Sequence, residues 1–482
     1  MSFRTSRGSL DRGFELVRRS LLQADGLPFA KALCVEQMQR AFAAEGVRFG
    51  AADGDPQEDE GIVYTPAIVL WAMLSQMLFT GEERSCRAAV VRVAAYYALL
   101  GRAVCATNTG AYCRARAKVT AGVVERLTQQ VAQDCQEHVP EEWRWKGRSV
   151  KLVDGTTFSM PDTEENQAEY PQPPAQAEGL GFPILRAVAL VSLATGMVLA
   201  AALGPYAGKE TGETALLRTL FDTLRPGEVL LADRYYCGWF MLALLQESGI
   251  DFVVRLHQLR EADFGKGRRL GKGDHIVCWP KPPKPEWLEQ ELYDRLPAQL
   301  EVREVQVRVD VPGFRTESLV VVTSLLDERA VSRDDLAALY RRRWTIELHL
   351  RDIKTALRLD VLRCKTPARV RQELWTGLLA YNLIRQSTLQ SAQTQGVRPD
   401  QLSFTATLQM LANTWLSAAV IFTATSVAPL IALRLVHGSS HRVGNRPNRV
   451  EPRAIKRRPK PHALLTTPRA QARANLLTHR TT

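Results

Sequence analysis

Asp154 and Asp233 each close an apolar run, Ser-Val-Lys-Leu-Val-Asp and Val-Leu-Leu-Ala-Asp. A carboxylate at the end of a buried strand faces a cleft without being enclosed by aliphatic groups. Glu347 lies far downstream, inside a helical pattern. Three such acids, if they converge, bind hard divalent cations, which prefer oxygen ligands. Two ions about 3.5–4 Å apart activate a nucleophile and stabilise the leaving oxygen of a phosphodiester. Taken singly, each acid has a plainer reading. An Asp after a strand is most often a turn former or helix cap, and a helical Glu a solvated or ion-paired residue. The combination in one chain favours metal chemistry.

The helix around Glu347 adds to this. Tyr340, Arg343, Glu347 and Lys354 follow one another at spacings of 3, 4 and 7. At about 100° per residue they fall at roughly 0°, −60°, −20° and −40°, on one narrow face. Leu339, Ile346 and Leu350 fall at roughly −100°, −120° and −80°, an apolar stripe beside it. The apolar stripe packs the helix on a core and leaves the polar one at its border. Arg343 and Lys354 suit phosphate oxygens, Arg with bidentate geometry. A plain Arg343–Glu347 ion pair accounts for two of the four residues and leaves Tyr340 and Lys354 unexplained. His349 and Asp352 point about 140–160° away from Glu347 and are rejected as ligands.

The elements that must hold these residues follow from periodicity. Residues 1–145 carry helical patterns, interrupted by an acidic Gly-rich loop at 50–61. Residues 149–158 read as a strand. Residues 184–193 and 197–203 read as a hairpin turning at Thr195-Gly196. Helix, strand, helix and strand follow at 214–224, 228–233, 239–247 and 252–256. Residues 258–330 read as a mostly β insertion, with Val305, Val307, Val309 and Val311 alternating. Its loop holds Lys266, Arg268, Arg269 and Lys272, candidate phosphate contacts set against a plain solvated loop. Helix returns at Ser332 with acids in its first turn and runs to about 359, and a second helix spans 369–390. Tyr235, Tyr236 and Trp239 are candidates to stack on an unpaired base, against the commoner reading of aromatic core packing.

Composition narrows the class. The 482 residues are 45% hydrophobic and 24% charged, which excludes a largely disordered chain or a collagen-like repeat. Eight scattered cysteines form no C-x-x-C pair, so neither zinc nor a disulfide scaffold is expected. The net charge is +12, and residues 438–482 hold eleven Lys or Arg against one acid. That tail, with Lys456, Arg457 and Arg458 at its centre, seeks polyanions, and nucleic acid is the first expectation. Uncharged stretches at 187–208 and 401–433 reach membrane length. The first reads as two strands and the second as a core helix pair diluted by polar residues, so no membrane span is expected. The charged N-terminus lacks the apolar run of a signal peptide.

Tyr340-x2-Arg343-x3-Glu347-x6-Lys354 matches the Y-R-E-K signature of the insertion-sequence family 4 transposases at all four positions and all three gaps. Asp154 in L-V-D-G-T-T-F-S-M-P-D-T resembles the first catalytic Asp of that family, and Asp233 in L-L-A-D-R-Y-Y the second. The resemblance covers about residues 145–395. It implies an α/β, ribonuclease H-like mixed-sheet core with a β-rich insertion, preceded by a helical domain and followed by helices and a basic tail. The expected divisions are 1–145, a helical domain expected to bind DNA ends, then 146–257 and 331–395 as the two parts of the core around the insertion at 258–330. Helices at 396–437 and the tail at 438–482 complete the chain. The resemblance further implies a DDE recombinase that cuts its element out and joins it to target DNA, through a hairpin in some members. Two Mg²⁺ ions, with Mn²⁺ as substitute, would be held by Asp154, Asp233 and Glu347, with Tyr340, Arg343 and Lys354 on phosphates. The implied partners are double-stranded DNA, as terminal inverted repeats and target, and a second copy of the chain on paired ends. The implied location is the bacterial cytoplasm at the nucleoid. A catalytically inactive DNA-binding derivative and a ribonuclease H-like nuclease without strand transfer are the alternatives.

Overall fold

The computed structural model describes residues 16–23, 27, 29, 33–47, 63–101, 105–308, 318–421, 424–443 and 464–478. Its spine is β1 (Val150–Ser159), whose first four residues are buried, Val150, Leu152 and Val153 with the Lys151 that pairs with Glu228. On one flank β1 pairs antiparallel with β2 (Ile184–Ser192), and β2 with β3 (Val198–Pro205). On the other flank β1 pairs in parallel with β4 (Val229–Ala232), and β4 with β5 (Asp251–Arg255). The order β3-β2-β1-β4-β5, with three antiparallel strands followed by two parallel crossovers, is the ribonuclease H-like arrangement. The β2–β3 turn requires glycine. Gly196 has φ 71°, and a Cβ there would stand 2.5 Å from Arg385 and 2.6 Å from His349.

Successive residues of β1 face opposite sides of the sheet. Val150, Leu152 and Phe158 join one apolar cluster, and Val153 joins another. The first cluster is continuous with the N-terminal helices Pro66–Leu78 and Ala121–Glu137 and with the long helix Pro367–Thr394. That helix is buried along most of its length. Its Asn382 side chain bonds both the N–H and the carbonyl of Val198 on β3, at 2.9 Å each, and the carbonyl of Thr128. The helical N-terminal part and the sheet therefore share one core. The second cluster is built with the helices Glu213–Arg218 and Trp239–Glu247.

Residues 258–330 continue the sheet rather than folding apart from it. β9 (Ser318–Thr323) pairs antiparallel with β5, and β8 (Gln299–Arg308), β7 (Asp274–Pro280) and β6 (Arg268–Gly271) follow outward. Alternating valines of β8 supply the reason, since Val305 and Val307 are buried in the first cluster. The uncharged stretch at 401–433 holds the helix Phe404–Val420, which buries Leu408, Leu411 and Trp415. Trp415 stacks on Trp71 at 5.6 Å. Among the described residues no helix is long and apolar enough to cross a membrane.

Candidate active site

Parallel pairing of β1 with β4 sets the two aspartates side by side. Leu152 is opposite Leu231, so two residues further on Asp154 and Asp233 fall opposite each other as β4 ends. Ligands of open α/β sheets sit outside such carboxyl ends. Asp154 itself is not at a strand end, contrary to the expectation from its apolar run. β1 continues to Ser159 because its other edge remains paired with β2, from Asp154–Ala189 to Ser159–Ile184. Asp233 does end its strand. It caps the tight turn Arg234–Tyr236, accepting the Tyr235 N–H at 2.7 Å through one carboxylate oxygen.

The helix carrying the Y-R-E-K residues starts at Ser332, whose hydroxyl and Asp335 form a reciprocal capping box. It is not one continuous α-helix. Arg333–Arg341 tightens into a 3₁₀ turn at Arg342–Trp344, resumes over Thr345–Arg351 and widens into a π turn at Asp352–Ala356. Such irregular turns concentrate at functional sites. Arg343 donates to Glu347 Oε1 at 2.8 Å and stands 3.8 Å from Asp154 Oδ2, bridging the two acids. Within the π turn, Lys354 Nζ donates to the Thr157 carbonyl on β1 at 2.9 Å. The chain beyond then adds to the end of β1. Ser159 N–H donates to the Asp360 carbonyl and Leu362 N–H to the Ser159 carbonyl. One strand therefore positions the acid, the lysine and the exit of the helix.

Burial pushes the Asp154 carboxyl up to about 6. The bond from the Gly155 N–H and the Arg343 charge oppose this, and Asp233 and Glu213 reinforce it. Burial works against the charge on Arg343, yet Tyr340, Glu347 and Asp154 hold its pKa above the ordinary arginine value. Tyr340 is 8% exposed, and burial pushes its phenol up to about 12. The tyrosine lies within the electrostatic reach of Asp233 and Arg343.

Two residues of the centre have no sequence signal of comparable weight. Glu213 sits within range of both aspartates, and burial raises its carboxyl above the usual value. Tyr236, almost fully buried, donates its hydroxyl to Glu213 Oε2 at 3.2 Å. The glycine after Asp154 was the available clue. A Cβ on Gly155 would come within 2.2 Å of the Glu213 carboxyl carbon.

Other sequence candidates fall elsewhere. Trp239 is 3% exposed and donates its indole N–H to the Trp279 carbonyl, so it packs in the core and presents no face to a base. Tyr235, beside Asp233, is the exposed member of that aromatic group at 52%. Lys266, Arg268, Arg269 and Lys272 are exposed around the outermost strand, β6, and are not brought to the acids. Lys456, Arg457 and Arg458 lie outside the described residues. His349 is buried, bonded to the Tyr381 hydroxyl at 3.0 Å.

The centre's donors are carboxylate oxygens, the chemistry of a hard divalent cation. The half-buried Asp154 carboxyl, raised by burial and by the neighbouring acids, fits that use. Among the described residues, no three His, Cys, Asp or Glu side chains form a ready-made metal cage, and Arg343 spans Asp154 and Glu347. Residues 145–383 match the family described as the transposase DDE domain. Transposase InsG of insertion sequence element IS4, from Escherichia coli K12, is 28% identical over 360 residues, 72% of this chain and 76% of that protein. Transposase InsZ of the same organism is 28% identical over 142 residues, 29% of this chain and 46% of that one. A piggyBac transposase in a synaptic complex with hairpin DNA covers 87% of this chain and 85% of its own. That likeness, at 8% identity and a TM-score of 0.41, is too slight to locate residues. Enzymes with this domain cleave and join DNA with the help of divalent metal ions, and the chain belongs to the IS4 family of DDE transposases.

Proposed function

We propose that this transposase excises its element and inserts it elsewhere by phosphoryl transfer at Asp154, Asp233 and Glu347. The supporting observation is the arrangement just described. Two aspartates meet where β4 ends, and Arg343 ties Glu347 to the first of them. These three acids would hold two Mg²⁺ ions, or Mn²⁺, which when bound supply Lewis acidity to the attacking and leaving oxygens. Water attacks phosphorus at the element end, the P–O3′ bond breaks, and a 3′-hydroxyl and a 5′-phosphate remain. That hydroxyl then attacks a phosphodiester of the opposite strand, whose flanking 3′-oxygen leaves, and closes a hairpin; a second hydrolysis of the new bond restores the 3′-hydroxyl, which attacks a target phosphodiester and displaces the target strand's own 3′-oxygen. Each step needs positioning and charge neutralisation more than a dedicated base.

The chain's own cations do that positioning. Arg343, paired here with Glu347, would hold non-bridging phosphate oxygens. Lys354 leaves its backbone bond on β1 for a phosphate beside the scissile bond. Tyr340, within electrostatic reach of Arg343, supplies a hydroxyl contact to phosphate. The exposed basic residues Lys266, Arg268, Arg269 and Lys272 neutralise flanking DNA, and the basic tail adds non-specific affinity. Two ends must be paired before cutting, so the working unit is a homodimer on two inverted repeats.

The test is cleavage by purified protein with Mg²⁺ or Mn²⁺ on DNA carrying the inverted repeats that flank its own gene. The expected products are cuts at the repeat tips, with hairpins visible on denaturing gels. Cutting by Glu347→Gln at the wild-type rate would overturn the assignment.

A further inference from the structure

Glu213 opens the helix Glu213–Arg218, on the chain between β3 and β4. Asp154 and the Y-R-E-K helix share one side of β1. Gly155 and the helix carrying Glu213 share the other. Because Gly155 has no side chain, the Glu213 carboxylate reaches the strand itself. A Cβ at Gly155 would lie 2.2 Å from its carboxyl carbon and 2.4 Å from Oε1. Gly155 is in regular strand pairing with Val188, so space and not backbone conformation calls for glycine.

One hydrogen bond holds the carboxylate there, and a second fixes the chain leading to it. The Tyr236 hydroxyl, three residues past Asp233 and 1% exposed, donates to Glu213 Oε2. Arg186 on β2 donates to the Thr211 carbonyl at 2.7 Å, fixing the chain two residues ahead of Glu213. A third acid beside two aspartates is repulsive; its hydrogen-bond partner is a neutral phenol, and the Arg186 charge offsets only part of the burial that raises it. A glycine and a buried tyrosine nevertheless maintain it. Shared cations explain such an arrangement, since charge count in the ligand set tunes affinity.

We propose that Glu213 is a fourth carboxylate ligand of the divalent-cation site, acting with Asp154 and Asp233. This rests on the metal reading above, and the test separates the two. Mn²⁺ alone is titrated into the full-length protein, and free Mn²⁺ is followed by electron paramagnetic resonance. The variants are Glu213→Gln, Gly155→Ala and Asp154→Asn, each with a melting curve in EDTA. Gly155→Ala keeps every charge and only displaces Glu213, so it decides the matter should Glu213→Gln fail to fold. The expected result is Mn²⁺ affinity weakened by about tenfold or more in both Glu213→Gln and Gly155→Ala. Wild-type Mn²⁺ affinity in those two, with loss in Asp154→Asn, overturns the role of Glu213 alone. Wild-type affinity in Asp154→Asn as well overturns the metal reading and this proposal with it.

Discussion

Two clusters of acids lie in the same sheet, and they are solved differently. In β7 and β8, Arg303 grips Asp274 through two bonds, Nε–Oδ1 at 2.8 Å and Nη2–Oδ2 at 2.6 Å, and reaches the Val331 carbonyl. Glu304 accepts from His275 Nε2 and from the Trp279 indole, both at 2.9 Å. The other ring nitrogen of His275 meets the Lys266 carbonyl at 2.7 Å. Asp274 there has its own cation, and Glu304 is held by two ring donors. Around β1 and β4, Asp154 and Glu347 share Arg343, Asp233 and Glu213 lie within electrostatic range of Asp154, and Lys354 is turned to a backbone carbonyl. Matched charge makes a strut. Unmatched acidic charge makes a place for cations, and it carries a standing cost in stability until they arrive.

That contrast can be broken at either end. Glu347→Gln should lower cleavage by about a thousandfold or more. Its melting midpoint should hold, because Glu347 is 45% exposed and its bond to Arg343 is a surface pair. A matching loss of stability would make it a strut like Asp274. Arg303→Met leaves Asp274 buried and unpaired, and should cost about 3–5 kcal/mol in urea denaturation. Most of that should return in the double variant Arg303→Met, Asp274→Leu. If Arg303→Met is neutral, the β7–β8 cluster is not the strut described.

Smaller effects sharpen the same comparison. The folded Asp154 carboxyl ionises near 6, above its unfolded value of 3.8. The folded state therefore binds the proton more tightly, and stability falls as pH rises from about 4 through 6. Asp154→Asn removes that penalty. In EDTA at pH 7.5 it should be more stable than wild type by roughly 2 kcal/mol, a gap that closes toward pH 4. A gap that widens on acidification would reverse the sign of the argument. Lys354→Ala should act least, reducing the salt slope of end binding by about one unit. An unchanged slope would leave Lys354 as a tie between helix and strand only.

Much of the frame was legible along the chain. The apolar runs ending in Asp154 and Asp233 are strands, and the turn at Thr195-Gly196 is where the hairpin folds. Other features were not. The ideal-helix angles for Tyr340 to Lys354 missed the tightened and widened turns, because a periodic pattern averages over a single inserted residue. Trp239 kept a stacking reading beside the commoner one of core packing, because an aromatic beside an acid looks alike whether its ring faces solvent or the core. Residues 258–330 read as a separate block, yet β9 extends the sheet through β5. Strand partners are chosen by edges that a linear pattern does not contain.

Local order thus determined what each segment becomes: an apolar run makes β1, alternation makes β8, residues spaced at 3, 4 and 7 make the signature helix, and Ser332 starts it. Tertiary structure decided which charges meet. Strand order placed Asp154 opposite Asp233. The absence of a side chain at Gly155 admitted Glu213 from the far face. The end of β1 captured Lys354 and the chain beyond it. Periodicity is a property of neighbours in sequence, whereas the charge balance of the centre depends on segments far apart in the chain, brought together only when the sheet closes over its two cores.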